Sequence, residues 1–424
     1  MHTLSLFLLG ILPIIVLAGF GNHDQSLLKN RSRIFEGERE FSITMLKQIR
    51  KNYPNGNMFF SPYSVYNALL IAFFGSSGAT EAQLVNGLNL NWASSKSQVQ
   101  SAYVVQKKLD EKRAFQNPLE LSSANRIFVD KKVEVVQIFK TLLYDEIKQT
   151  DFKNQPMKSL QEINDWISNK TYNQIHDILS ADEITSNTML VLANAAYMKG
   201  QWLSQFKVER TTPKPFYITP NIQEVVPMMR QKGTFKMNIA ENLQSQILRL
   251  PFRTQYESAD KLNATPDDKS DVSMVLILPT SSAVSIDDVI TRLDANSLET
   301  LIENCVPREI ELSLPKFQFE QRTGITPILA NMGITQMFTG DATFDDLTAE
   351  HVSFDDAQHV AKIKVDELGT TAAAATVLFS SRSARPADPN QFNCNHPFLF
   401  LIYDHNVKTI LFAGVYSDPR EMQH

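Results

Sequence analysis

The chain has 424 residues, 43% of them hydrophobic and 21% charged, with a formal net charge of -5. That length and balance describe a globular chain with a substantial core, as one large domain or two. The weak negative charge gives no overall field for nucleic acid or an anionic membrane, and no basic patch stands out in the composition, so neither is expected as a partner.

The chain opens MHTLSLFLLGILPIIVLAGFG, an apolar stretch from Leu4 to Leu17 broken by Pro13 and followed by small residues at Ala18, Gly19 and Gly21. A membrane anchor would need about 20 apolar residues and flanking basic ones, so the pattern is that of a signal peptide over 1–21, with the mature chain from 22 to 424 secreted as a single domain. In an extracellular protein three sequons become glycan acceptors by motif: Asn30-Arg31-Ser32, Asn169-Lys170-Thr171 and Asn263-Ala264-Thr265. Two cysteines, Cys305 and Cys394, can pair there but are too few for a disulfide framework.

Beyond the leader, Phe41, Ile43, Leu46 and Ile49 recur at helical intervals within Glu36 to Arg50, and Ser61-Pro62 opens a second apolar helix that runs to Phe74. A charged helix is expected over Ser97 to Phe115, and a third apolar one over Leu160 to Ile178 with Trp166 and Ile167 on its buried side. From Met189 the pattern becomes strand-like: Met189 to Tyr197, Ile247 to Pro251, Met274 to Pro279, Glu309 to Leu314, Val360 to Val365, Phe398 to Tyr403 and Thr409 to Val415. Between two of these, Thr254 to Asp271 is polar and reads as an exposed hairpin loop. Helices early and strands late predict an α+β fold with large mixed or antiparallel sheets, and no solenoid repeat is visible.

The segment Glu367 to Asn393, ELGTTAAAATVLFSSRSARPADPNQFN, joins two chemistries. Thr370, Thr371, Ala372, Ala373, Ala374, Ala375 and Thr376 are small and uncharged, able to lie exposed or to enter a sheet. Ser381-Arg382-Ser383 then offers an unobstructed basic residue, and Pro386 and Pro389 forbid regular structure. Alone, the run also reads as a surface linker. Its place between strand-like Val360 to Val365 and apolar Pro397 to Tyr403 favours a loop that works by being cut.

No GxGxxG, Walker loop, HExxH, GxSxG or paired CxxC occurs, and the eight histidines show no ligand spacing, so neither metal nor catalytic centre is expected. Ser61 and Ser64 sit where serines cap helices, and His359 reads as a hydrogen-bonded core histidine.

Seven segments in order carry a resemblance over Glu36 to the C-terminus: NMFFSPYSVYNALLIAFFGSSGAT, VLANAAYMKGQW, VPMMRQKGTF, LPKFQFE, MGITQMF, HVAKIKVDELGTTAAAAT and HPFLFLIYDHNVKTILFAGVYSDP. With these the chain resembles a serpin. The resemblance implies three β-sheets, the large central one included, about nine helices and an exposed reactive-centre loop, here about 367–393. It implies a monomer that is no enzyme but a suicide inhibitor of serine proteases: the cut loop inserts into the central sheet while the protease is still covalently attached. It assigns Ser61, Pro62, Ser64, Asn194 and His359 to the shutter beneath that sheet, Trp202 to the breach where the loop enters, and Glu367, Gly369 and Thr370 to Thr376 to the hinge. Leu368 departs from the acidic residue common there. Family spacing puts the scissile residue at Ser383 counted from Glu367 and nearer Pro386 counted back from the HPF segment. Trypsin-like enzymes refuse a bond to proline, so Arg382-Ser383 is chosen over Ser383-Ala384 and Arg385-Pro386. The alternative function is a non-inhibitory serpin acting as carrier or chaperone. No cofactor is required; a heparin-like polyanion is considered for Lys107, Lys108, Lys112 and Arg113, where Asp110 and Glu111 dilute the charge.

Overall fold

The computed structural model of the chain describes residues 22–54, 56–116, 119–254, 270–369 and 390–421, with the side chains of 22–26 and 112–116 outside that set. Among these residues nine α-helices form: α1 (Asn22–Asn52), α2 (Pro62–Gly75), α3 (Gly78–Gly87), α4 (Lys96–Gln116), α5 (Gln137–Leu142), α6 (Pro156–Lys170), α7 (Ile286–Arg292), α8 (Ala295–Glu303) and α9 (Thr326–Asn331). No described helix is long and apolar enough to cross a membrane.

Five strands make one sheet in the order β10 (Phe317–Gly324), β11 (Phe354–Val365), β4 (Leu190–Lys199), β2 (Glu120–Asp130) and β3 (Ile147–Thr150). Its central neighbours β4 and β11 are parallel, with His359 opposite Asn194, whereas β10 and β2 flank them antiparallel. The other ladder holds nine strands: β1 (Met58–Phe60), β14 (Thr409–Tyr416), β13 (Phe398–Asp404), β8 (Val272–Pro279), β7 (Ser245–Pro251), β6 (Ile222–Ala240), β9 (Val306–Pro315) and β12 (Asn390–Asn393), with β5 (Thr212–Thr219) beside β6. The nineteen-residue strand β6 joins two sheets into this ladder. On one side it pairs first with β5 and, past residue 236, with β7, while β9 keeps the other side. Counted that way the α+β architecture has the three sheets expected. The outer strand β5 carries Pro213, Lys214 and Pro215, residues that block further pairing at an edge.

Period-two alternation sorts the central sheet's residues. Ala193, Ala195, Tyr197 and Val360 pack with α6 residues such as Ile163 and Ile167, while Leu190, Leu192, Ile127 and Val129 join the core that includes α2. The sheet is therefore covered on both faces, and Asn194, one step from Ala193 and Ala195, is forced into the α2 side.

The strands expected from Met189 onward form with slightly longer ends, and β7 and β8 pair as the hairpin predicted around Thr254 to Asp271, whose residues 255–269 lie outside the described set. Three helix boundaries differ by more than two residues, one being the start of α6 at Pro156 instead of Leu160. The first helix begins at Asn22, fourteen residues before Glu36. The helix expected to reach Ile178 stops at Lys170, because Thr171 turns its Oγ1 back onto the Ile167 carbonyl (2.8 Å) and Tyr172 and Asn173 take left-handed φ of 55° and 58°. Ile175 and Ile178 are still buried under α6, so their apolar spacing imitated a helix. No disulfide joins Cys305 and Cys394: both are buried, in separate core clusters.

Candidate functional site

Behind the β4–β11 seam, α2 begins with Ser61 as its cap, whose Oγ accepts from Ser64 N (3.1 Å) and donates to the Leu411 carbonyl of β14 (2.7 Å). Pro62 at the first helical position needs no amide donor there. The Ser61 amide donates to Nε2 of His359 (2.8 Å), and His359 Nδ1–H is left to donate to Asn194 Oδ1. Both ring nitrogens are used by a neutral imidazole, and full burial pushes its pKa down to about 3. Asn194 Nδ2 donates to Ser64 Oγ (2.8 Å) and to Asn125 Oδ1, and Ser123 Oγ donates to Ser64 Oγ (2.8 Å). All five expected shutter residues thus meet in one place. The network extends through Ser123 and Asn125 of β2, which sequence reading missed; their signal was a polar, small-residue run, SSAN, aligned opposite NAA of β4.

At the far end of β11 the chain turns sharply. Asp366 and Gly369 bridge antiparallel, with Gly369 N donating to the Asp366 carbonyl (3.2 Å). Gly369 has φ of +93°, and a Cβ on it would stand 2.4 Å from the Gly200 carbonyl oxygen and 2.5 Å from Trp202 N, so glycine alone fits. Trp202, 1% exposed, donates Nε1–H to the Asp366 carbonyl (2.8 Å) and stacks on Phe252 with ring centroids 4.5 Å apart. The Leu368 and Glu367 carbonyls accept from Trp202 N (3.3 Å) and Phe206 N (2.9 Å). Glu367 is buried, which opposes its ionisation, but Lys316 Nζ at 2.8 Å, its own backbone amide and Thr211 Oγ1 at 2.8 Å outweigh burial and hold its carboxyl below the usual range. Trp202, Glu367 and Gly369 therefore form one clamp at the start of the loop.

The clamp fixes one end of residues 370–389; the other is fixed by β12, where Asn390 to Asn393 run parallel to Ile310 to Ser313 of β9. Thr370 to Thr376, Arg382 and Ser383 lie outside the described residues, as do the leader and Asn263. Asn169 is exposed on the last turn of α6, and Asn30 is half-buried on α1. The charged helix forms as α4, but Lys107 is engaged, 2.6 Å from Glu146 Oε1 and 3.6 Å from Asp145; Lys108 is exposed, and the Lys112 and Arg113 side chains are not among those described. Among the described residues no three His, Cys, Asp or Glu side chains converge as metal ligands.

The described residues thus bring together a parallel seam, a polar network behind it and the two flanks of residues 370–389, Asp366 to Gly369 on one side and β12 on the other. The serpin (serine protease inhibitor) family model matches residues 36–419, and the chain belongs to the serpin family. It is similar to Serine protease inhibitor 88Ea of Drosophila melanogaster, 53% identical over 100% of both chains, and to Iris of Ixodes ricinus, 32% identical over 88% of this chain and 96% of that one. The fold matches maspin (TM-score 0.78, 22% identity, 93% of this chain and 100% of that chain) and uncleaved ovalbumin (TM-score 0.77, 23% identity, 91% and 100%). The chain is accordingly grouped with protease inhibitors and not with enzymes.

Proposed function

We propose that this chain is a secreted inhibitor of a trypsin-like serine protease, which cuts it after Arg382 and is trapped covalently as Thr370 to Arg382 enter the five-stranded sheet between β4 and β11. The observation that carries this reading is the Asp366–Gly369 turn at the end of a parallel seam. The Asp366–Gly369 bridge is antiparallel, so a strand entering from Gly369 would lie antiparallel to both neighbours. One parallel ladder would be exchanged for two antiparallel ones, the more stable pairing per residue.

Length supports the choice of bond. The thirteen residues 370–382 match the twelve of β11, whereas a cut after Arg385 would leave sixteen. Secretion rests on the leader.

Trypsin supplies the test. The expected products are a complex that survives denaturing electrophoresis and a released C-terminal peptide that begins at Ser383. A peptide beginning at Ala384 or Pro386 would shift the bond. Cleavage with neither complex nor gain in thermal stability would replace this reading with a non-inhibitory carrier or chaperone.

A further inference from the structure

Arg249 lies on β7 two residues past Ile247, and so on the same face of the strand. Ile247 and its neighbour Val275 turn that face into the core that also takes Leu298 and Ile302 of α8. Helix α8 packs on β6 and β7, with Asn238 of β6 donating Nδ2–H to the Leu301 carbonyl (3.1 Å). In the antiparallel registers Arg249 has Lys236 of β6 opposite it on one side and Val275 of β8 on the other. Burial, then the charges of Arg249 and Lys236, hold His405 well below its ordinary pKa, so three basic side chains share one neighbourhood. The His405 Nε2 is occupied by Ser273 Oγ at 2.7 Å.

Arg249 stands without a partner. It is 9% exposed and makes no hydrogen bond or ion pair among the described residues. Its Nε is shut off from solvent, whereas the two terminal nitrogens are not, so the end of the guanidinium fork is the part that a ligand can reach. The carboxylates carried by α8 do not serve it: Glu299 pairs with Arg39 (3.2 Å) and Lys408 (2.6 Å), and Glu303 with Lys408. A guanidinium nine-tenths buried and unpaired is costly, and an anion that hydrogen-bonds to it removes the cost. With Nε sealed, only an end-on approach to Nη1 and Nη2 remains. The two oxygens of a planar carboxylate suit that approach, each accepting from one nitrogen.

We propose that Arg249 binds the carboxylate of a small organic acid end-on, on the α8 face of the β6–β7 ladder. No residue of the shutter or of the clamp takes part.

Thermal unfolding of the full chain, with sodium acetate replacing sodium chloride at fixed ionic strength and acetamide as the uncharged counterpart, tests the assignment. Acetate should raise Tm along a curve that saturates, as mass action at one site requires, and acetamide should not. Arg249→Met, an apolar side chain, should abolish the saturable gain. In chloride the same variant should unfold at the parent's Tm or above it, because the unpaired charge is gone, whereas a merely loosened fold would unfold below it. The proposal is overturned if acetate gives no saturable gain, if acetamide gives the same gain, or if the gain survives Arg249→Met. It is overturned equally by a lower Tm of that variant in chloride, which would mean that Arg249 already has a partner within the chain.

Discussion

His359 and Glu38 are fully buried ionisable side chains whose protonation is bent in opposite directions by the same cause. Burial holds His359 neutral down to about pH 3, against an ordinary value of 6.5. The unfolded chain takes up the proton the native state refuses, so stability present above about pH 6.5 is lost as pH falls, at roughly 1.4 kcal/mol per pH unit. His405, pushed to about 3 by burial and by Arg249 and Lys236, adds to the same acid limb. His359→Gln keeps an acceptor for Ser61 and a donor for Asn194; it should flatten the dependence of Tm on pH between 4 and 6.5, and an unchanged slope would remove His359 from the account. Glu38 runs the other way. Burial raises its pKa from 4.5 to about 7 despite hydrogen bonds from Ser42, Thr409 and the Ile410 amide and the charge of Arg39. Its native carboxyl keeps a proton that the unfolded chain has released, so the penalty is absent below pH 4.5, grows with rising pH and is complete above about 7. Glu38→Gln should therefore raise Tm at pH 8, by an amount on the order of 2–3 kcal/mol of stability, and leave it unchanged at pH 4.5. Equal effects at both pH values would show that packing, not charge, sets the change.

Gly369 shows how one residue governs an element. Gly369→Ala would impose a left-handed conformation on an L-residue and press its Cβ against the Gly200 carbonyl and the Trp202 amide. The expected cost is roughly 2–4 kcal/mol, and the clamp around Trp202 should open. Indole fluorescence should shift toward that of solvated tryptophan, because Trp202 would lose its acceptor on Asp366; an unshifted spectrum would mean that the turn does not hold the indole. Legibility from sequence follows the same logic of local against distant causes. The α2 start was readable because Ser61 and Pro62 act within one turn, and the late strands because Val, Ile, Leu and Phe crowd them. β2 was not: ELSSANRIFVD takes its strand form from the pairing of Glu120 to Val129 with Lys199 to Leu190, about seventy residues away in the chain. The end of α6 was hidden too, because Ile175 and Ile178 are buried in irregular chain within the cluster that also holds Ala193, Ala195 and Val360, which no local pattern reports. Ser61, Ser64, Asn194 and His359 were brought together by family resemblance, whereas Ser123 and Asn125 required the β2–β4 register.

At the scale of the whole molecule, the proposed function makes the five-stranded sheet a two-state element, with β11 followed by a clamp at Asp366 to Gly369 and the chain resuming at β12. Cleavage after Arg382 should therefore raise Tm markedly, as residues 370–382 gain two strand neighbours. The decisive variant is Thr370→Arg. Thr370 is the first residue past the clamp, and on the proposed inserted strand it shares a face with Ala372, Ala374 and Thr376, small side chains suited to a sheet covered on both sides. A guanidinium there would be buried without a partner, at a cost on the order of 3–5 kcal/mol. Slower insertion then loses to hydrolysis of the acyl-enzyme. The variant should still be cut after Arg382 but should release active protease, so that several molecules are consumed for each protease inhibited, and its cleaved form should lack the gain in Tm. If Thr370→Arg traps trypsin as well as the parent does, strand insertion is not how this loop works, and a reversible, tightly fitting inhibitor takes its place.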